Sequence, residues 1–398
     1  MKYLCVFIPV VLFLFSCSGQ HETQGNQLTS PKQLVGGGCD GCEFMYVSMP
    51  KNLSHFSTSK GWNGNGQKLL IEGTVYQPDG VTPASGVIIY YWHTDENGLY
   101  SSDTNTPNEV AKHGKMRGWI KTGNDGRYRI FTSRPAPYPK EEIPSHIHIA
   151  VKEPGILNEY YLDWYFDDDK LYINHRKKYG KFDRGGTEIL RVLLKDDVQI
   201  AEHNVILGLN IPHYPKKTVQ KINSGLSIGE DQPSFIPYHA FGPDAGKRTC
   251  PVCKYGRYHG IVMFVGNNPD WQHIEKWLLF LEEQSTKRNK YLKAYFVYGS
   301  DHDYSRKKRR DELTRLGEKL KLKNTALTYV PSWSDTDSEV HLNQINPNVN
   351  NTMIIYKYRT IINKFIDLPP VEESFIKISK LLDNTQGAYF DLVDPHEH

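Results

Sequence analysis

The chain has 398 residues, which at roughly 150 per domain suggests about two to three domains. Apolar residues make up 38% and charged residues 23%, which excludes a globally disordered chain. With 48 Lys plus Arg against 45 Asp plus Glu, the net charge of +3 argues against a dedicated nucleic-acid binder, which needs a concentrated basic surface. Tyrosine is the unusual component at 25 residues, and it serves either as strand-forming bulk or as a phenolate ligand.

The first residues read as an address. Lys2 precedes a mostly apolar run over residues 3–15, too short to span a bilayer and ordered as a secretory signal. Leu14-Phe15-Ser16-Cys17 resembles a bacterial lipobox, although Phe15 is atypical there. The pattern predicts a signal peptide over 1–16, lipidation of Cys17 and a flexible tether over 17–34. A plain cleaved signal with a chance cysteine is the alternative. Either way the chain is expected to be exported to the cell envelope, on its periplasmic or outer-membrane face. A lipid anchor would be its only membrane attachment, because no later segment reaches ~18 consecutive apolar residues.

Residues 35–214 read as an all-β sandwich. Short strands are predicted at 69–76, 86–92, 127–132, 146–152, 188–194 and 204–210. Asp79-Gly80, Asn97-Gly98 and Asp125-Gly126 are turn dipeptides between them, and no helical period interrupts the series. Residues 215–240 are rich in Pro, Ser, Gly and Lys and read as a linker. Over 241–386 the period changes: strands at 260–266, 291–298 and 325–330 alternate with helices at 270–284 and 304–320. A hairpin at 352–366 and a closing helix at 371–382 follow, and 387–398 is a tail. The order predicts a smaller α/β domain with helices packed on a sheet. The basic run Arg306-Lys307-Lys308-Arg309-Arg310 reads as a solvated helix face.

The chemistry-bearing residues sit in the β region. His146 and His148 stand at i and i+2 on a predicted strand, so both point to one face, as two imidazoles on one metal would. A strand pair of this kind also occurs as an ordinary polar face. Tyr138 is held between Pro137 and Pro139, and Tyr100 follows the Asn97-Gly98 turn. Each tyrosine taken singly reads as a core or rim aromatic.

Together these residues resemble the intradiol ring-cleavage dioxygenases, the protocatechuate and catechol dioxygenase family. The family's motifs fall in order at Gly73-Thr74-Val75, Trp92, Tyr100, Arg117-Gly118 and Thr122 with Gly126 and Tyr128. The series ends with the Pro-flanked segment at 135–139 and the His strand at 144–148, so the resemblance covers roughly residues 67–214. The glycine- and cysteine-rich segment at 36–43 looks like a head shared by exported bacterial relatives.

The resemblance implies a mononuclear Fe(III) site held by Tyr100, Tyr138, His146 and His148. Two phenolates are hard anionic donors that favour ferric iron, and two neutral imidazoles complete the set. The expected partners are a catechol-type substrate and dioxygen, with Tyr138 as the general base. The family's Arg three residues before the first His falls at Ile143, and its later Gln falls at Asp163. Lys140, Lys152 or His93 are candidates to replace the missing charge.

The C-terminal order resembles a thioredoxin-like fold, but the family's proline before the hairpin strand is replaced by Asn351. Cys250 and Cys253 precede the first strand of this region instead of following it, with no helix expected to serve them. They and the pair Cys39 and Cys42 are therefore expected as disulfides or unconventional thiol pairs; a zinc ion shared by all four is the alternative. Three functions follow in order of preference: an exported ferric dioxygenase, a non-catalytic β-sandwich binding module, and a thiol-disulfide oxidoreductase acting through the C-terminal domain.

Overall fold

The computed structural model describes residues 33–395 apart from Asp40, 216–221, Asp301 and Asp303. The expected signal peptide, Cys17 and most of the tether lie outside the described residues. From Leu34 onward the chain forms one compact unit. Among the described residues no helix is long and apolar enough to cross a membrane.

Period-2 alternation governs the first half. Its strands are β1 (Phe56–Thr58), β2 (Lys68–Tyr76), β3 (Ile88–Trp92), β4 (Arg117–Lys121), β5 (Arg127–Ser133) and β6 (His146–Lys152), followed by β7 (Tyr160–Phe166), β8 (Ile189–Leu190), β9 (Val192–Lys195), β10 (Val198–Glu202) and β11 (Val205–Ile206). One sheet runs β1-β5-β2-β10-β9 with β11 beside β2, and a second runs β4-β3-β6-β7-β8. Both feed one core: Leu69, Ile71 and Ile130 meet Ile89, Ile147 and Ile149, all inaccessible to solvent. Because successive side chains alternate across a sheet, Ile147, Ile149 and Val151 of β6 enter this core, and His146 and His148 project from the other face.

An unexpected helix, α1 (Tyr172–Tyr179), stands between β7 and β8. Its sequence Tyr-Ile-Asn-His-Arg-Lys-Lys-Tyr has only Tyr172 buried, so it carries no apolar stripe for a periodic reading to detect.

The second half is built around a mixed sheet. Its strands are β12 (Tyr238–Phe241), β13 (His259–Val265), β14 (Leu292–Gly299), β15 (Ala326–Val330), β16 (Thr352–Lys357) and β17 (Thr360–Ile366), in the order β12-β15-β14-β13-β16-β17. The helices are α2 (Pro251–Tyr255), α3 (Trp271–Arg288), α4 (Arg306–Lys319) and α5 (Glu372–Thr385). β13, β14 and β15 run parallel, whereas β16 pairs antiparallel to β13 and β17 to β16. Asp270 starts α3 by accepting from the Gln272 and His273 amides. That helix buries Ile274, Trp277, Leu278 and Leu281 against the sheet.

The stretch read as a linker is packed along its described part. Gly229 N donates to Ile361 O at 2.8 Å, Phe235 is fully buried, and the stretch ends in β12. Its composition gave no periodic signal for this. Several contacts tie the two halves together: Lys357 Nζ to Glu202 Oε2 at 2.6 Å, Arg191 Nη2 to Asp231 Oδ1 at 3.0 Å, and Leu194 N to Val393 O at 2.8 Å.

Candidate metal centre

β6 is central in its sheet, so the register of its neighbours decides what surrounds the histidines. Trp92 of β3 and Asp163 of β7 lie on either side of His148, and Tyr165 lies beside His146. Trp92 stacks with two imidazoles, with ring centroids 4.2 Å from His113 and 5.0 Å from His148.

Tyr100 and Tyr138 arrive on two loops that brace each other. After β3, Asp95 Oδ1 accepts from the Asn97 and Leu99 amides at 2.9 and 3.0 Å, closing a tight turn. Gly98 in that turn has φ +78, and a Cβ there would sit 2.1 Å from Pro137 O, so only glycine lets the loops meet. Thr94 Oγ1 donates to Ala136 O at 2.6 Å, and the Ala136 amide to Asp95 O at 3.1 Å. The loop carrying Tyr138 is anchored at its start by Arg134, which pairs with Asp168 and lies over the Phe166 ring at 4.3 Å. At its end Ser145 N donates to Asp169 Oδ2 at 2.7 Å.

These elements bring Tyr100, Tyr138, His146 and His148 to one point. The two phenol oxygens are 2.6 Å apart, the two Nε2 atoms 3.1 Å apart, and Tyr100 Oη lies 2.9 Å from His148 Nε2. Tyr138 Oη is 3.4 Å from both Nε2 atoms. The opposite ring nitrogens are committed: His146 Nδ1 donates to Pro144 O at 2.7 Å, and His148 Nδ1 to Asp163 Oδ1 at 2.9 Å. A carbonyl and a carboxylate accept only, so each imidazole carries its proton on Nδ1. Both Nε2 atoms are then acceptors facing each other, with the phenol hydroxyls in reach to donate to them, so a cation that displaces the phenol protons would meet four donor atoms at one point. The donor set of two phenols and two imidazoles fits a ferric ion.

Burial favours the neutral forms of His146, Tyr100 and Tyr138. Burial, with the neighbouring His148, holds His146 down to about 4. Burial pushes both phenols up, Tyr100 further through its hydrogen bond to Tyr138, so both are protonated until a metal displaces their protons. Asp163 differs: burial raises it, but the hydrogen bonds it accepts from His148 and Tyr161, with the nearby imidazoles, outweigh burial and hold it below the usual carboxylate range. Among the described residues, one group of three His, Cys, Asp or Glu side chains has metal-ligand spacing, His146, His148 and Asp163. Asp163 stands behind the His148 ring, however, on the side away from the phenols.

A cavity of about 520 Å³ opens onto this point, lined by Trp92, Tyr100, His148, Tyr161, Asp163 and Phe182 among others. Its positive charge comes from Lys112 and Arg184, which the sequence reading missed because both reach the site from distant loops. None of the three earlier candidates lines it. His93 is buried between Thr94 O and Thr132 Oγ1, Lys152 Nζ donates to Ile156 O and Leu157 O, and Lys140 is exposed.

The cysteines form two local disulfides, Cys39–Cys42 and Cys250–Cys253, which rules out a zinc ion shared by four thiolates. Cys39 lines the cavity beside the candidate centre, whereas the second pair lies in the other half of the molecule. Contrary to expectation, a helix does follow Cys250: its Sγ caps the five-residue α2 by accepting from the Cys253 amide at 3.0 Å.

A family model matches the segment that carries this site. Residues 45–177 match the Dioxygenase family model. The chlorocatechol 1,2-dioxygenase of Cupriavidus pinatubonensis is 32% identical over 123 residues, covering 25% of this chain and 46% of the relative. The catechol 1,2-dioxygenase of Acinetobacter baylyi is 29% identical over 128 residues, covering 28% and 40%. The hydroxyquinol 1,2-dioxygenase of a Rhizobium species is 26% identical over 134 residues, covering 30% and 43%. The chain thus spans just under half the length of the curated relatives it matches. Among solved structures, the dioxygenase domain of a carbohydrate-binding fusion from Streptomyces sp. SirexAA-E aligns at 23% identity and TM-score 0.31, covering 40% of this chain and 88% of that one. Chlorocatechol 1,2-dioxygenase from Pseudomonas putida aligns at 23% identity and TM-score 0.31, covering 40% and 66%.

Proposed function

We propose that the first half of this chain is a non-haem ferric dioxygenase that opens a catechol-type ring between its two hydroxylated carbons. Both atoms of dioxygen end in the ring-opened dicarboxylate, so no external reductant is consumed. The observation that carries the reading is the pair of facing Nε2 acceptors, 3.1 Å apart, with two phenols beside them. Tyr100, Tyr138, His146 and His148 would hold the iron. When bound, ferric iron supplies Lewis acidity toward the diol oxygens and access to dioxygen chemistry. The chain's own contribution is positional. β6 fixes both imidazoles, and the braced loops fix both phenols. Tyr138 Oη, the phenol 3.4 Å from both imidazoles, would take a proton from a substrate hydroxyl once iron binding has displaced its own. Trp92, Tyr161 and Phe182 give the cavity aromatic walls against which a flat ring could lie.

The test is a visible spectrum of purified protein with iron measured on the same sample, followed by oxygen uptake on adding catechol. A broad tyrosinate-to-ferric band, about one iron per chain and stoichiometric uptake are expected. Iron without uptake would favour a binding module, and a colourless protein after ferric reconstitution would sink the metal assignment.

We also read the second half as a thioredoxin-like accessory region. The support is the parallel β13-α3-β14 crossover with β16 and β17 antiparallel beside it. Its disulfide precedes β13, so thiol chemistry of the usual kind is not part of the proposal. On the sequence alone, we propose that Cys17 anchors the protein in the cell envelope.

A further inference from the structure

Asp163 stands where the resemblance leads one to expect a glutamine, and its surroundings give it a use. The β6–β7 register sets it directly beside His148. Its Oδ1 accepts from His148 Nδ1 at 2.9 Å and also from the Tyr161 hydroxyl, which itself lies 2.8 Å from Nδ1. The imidazole is therefore gripped from behind by a carboxylate and a phenol, and stacked against Trp92. His146 is held differently, by the neutral carbonyl of Pro144. The two imidazoles thus differ in what polarises them. A glutamine could also accept from Nδ1, but it would bring no negative charge. Asp163 is not placed as a ligand itself, since the His148 ring separates its Oδ1 from the phenols.

We propose that Asp163 is a positioning residue that fixes His148 in its Nδ1–H form, aims Nε2 between the phenols and strengthens it as a donor to ferric iron. A carboxylate behind a metal-binding imidazole raises its basicity and locks its orientation. The clause about iron rests on the ferric reading above; the clause about tautomer and orientation does not.

The experiment compares wild type with Asp163→Asn, a near-isosteric change that removes the charge, and with Tyr161→Phe. Imidazole nitrogen NMR of metal-free protein reads the His148 tautomer. Ferric titration then reads affinity and the position of the tyrosinate absorption band. Wild type should show His148 protonated on Nδ1. Asp163→Asn should mix the tautomers, shift the band and weaken iron binding by about 10–100-fold, with Tyr161→Phe moving all three less. Unchanged tautomer and affinity in Asp163→Asn would overturn the proposal. So would a wild-type His148 protonated on Nε2, which decides the matter even if the Asn variant fails to fold. A tautomer that responds in protein that never takes up iron would uphold the positioning role and reject the ferric reading.

Discussion

β6 and β13 are both seven-residue central strands, yet they do opposite things with their faces. In β13 every residue is buried, with Ile261, Met263 and Val265 in one core and Val262 and Phe264 in another. In β6 the main core takes Ile147, Ile149 and Val151, and the other face collects His146 and His148 beside Ala150, which packs in a small cluster with Cys42, Met45, Tyr90 and Trp92. A sheet covered by packed layers on both sides has no room to gather polar side chains. A sheet covered on one side by core and on the other by loops can assemble a site there, because loops bring side chains such as Tyr100 and Tyr138 from elsewhere in the chain. Chemistry in this protein is therefore expected on the loop-covered face of β6, and packing alone in the sheet around β13.

Removing a ligand tests this contrast hardest. His146→Ala or His148→Ala should reduce iron from about one per chain to none by metal analysis, with the far-ultraviolet circular dichroism unchanged; full iron content in both would break the assignment. Tyr138→Phe should keep most iron but cost roughly 10²–10⁴-fold in turnover, the usual worth of a positioned general base. Equal loss of iron and turnover would reduce Tyr138 to a ligand alone. On the other side of the comparison, Trp277→Ala should cost about 3–5 kcal/mol in denaturant unfolding, since the indole is fully buried. Under native conditions the iron band should not move; a shifted band would show that the two regions share more than contacts.

The smallest effect is one the regions share. Burial holds His203, in the first half, and His259, in the second, down to about 3. The unfolded chain titrates near 6.5, so below that pH it binds protons that the folded chain refuses. Stability should be complete above about pH 6.5 and fall as pH drops toward 4, by at most ~1.4 kcal/mol per pH unit for each histidine. Thermal midpoints of His203→Gln and His259→Gln across that window should each show a flatter pH slope. An unchanged slope in either would mean that histidine takes up its proton without unfolding.

How much of this was legible in the sequence depended on whether the signal was local. β6 was read with its correct ends, and the i, i+2 spacing of its histidines already implied one face. The strands of the second half were readable because a sheet buried on both faces produces continuous apolar runs, as in Gly260-Ile261-Val262-Met263-Phe264-Val265. β7 went unread as a strand: Tyr-Tyr-Leu-Asp-Trp-Tyr-Phe places aromatics on both faces and shows no clean alternation. Helix α1 escaped because it buries a single residue. Lys112, Tyr161 and Arg184 could not be assigned to the cavity in advance, because only the folded topology brings them beside His148. Asp163 was noticed as a departure, but its partner became visible only through the β6–β7 register.

The backbone bond from Leu194 to Val393 has a consequence for self-association. β9 is the outermost strand of its sheet, and an uncovered outer strand is a template on which other chains add strands of their own. Residues near Val393 act here as a cover, supplied from far along the chain. A proteolytic cut that freed them would leave the face carrying the candidate centre intact and turn the opposite sheet adhesive. Aggregation of otherwise folded, still coloured protein is the outcome that such a nick would produce.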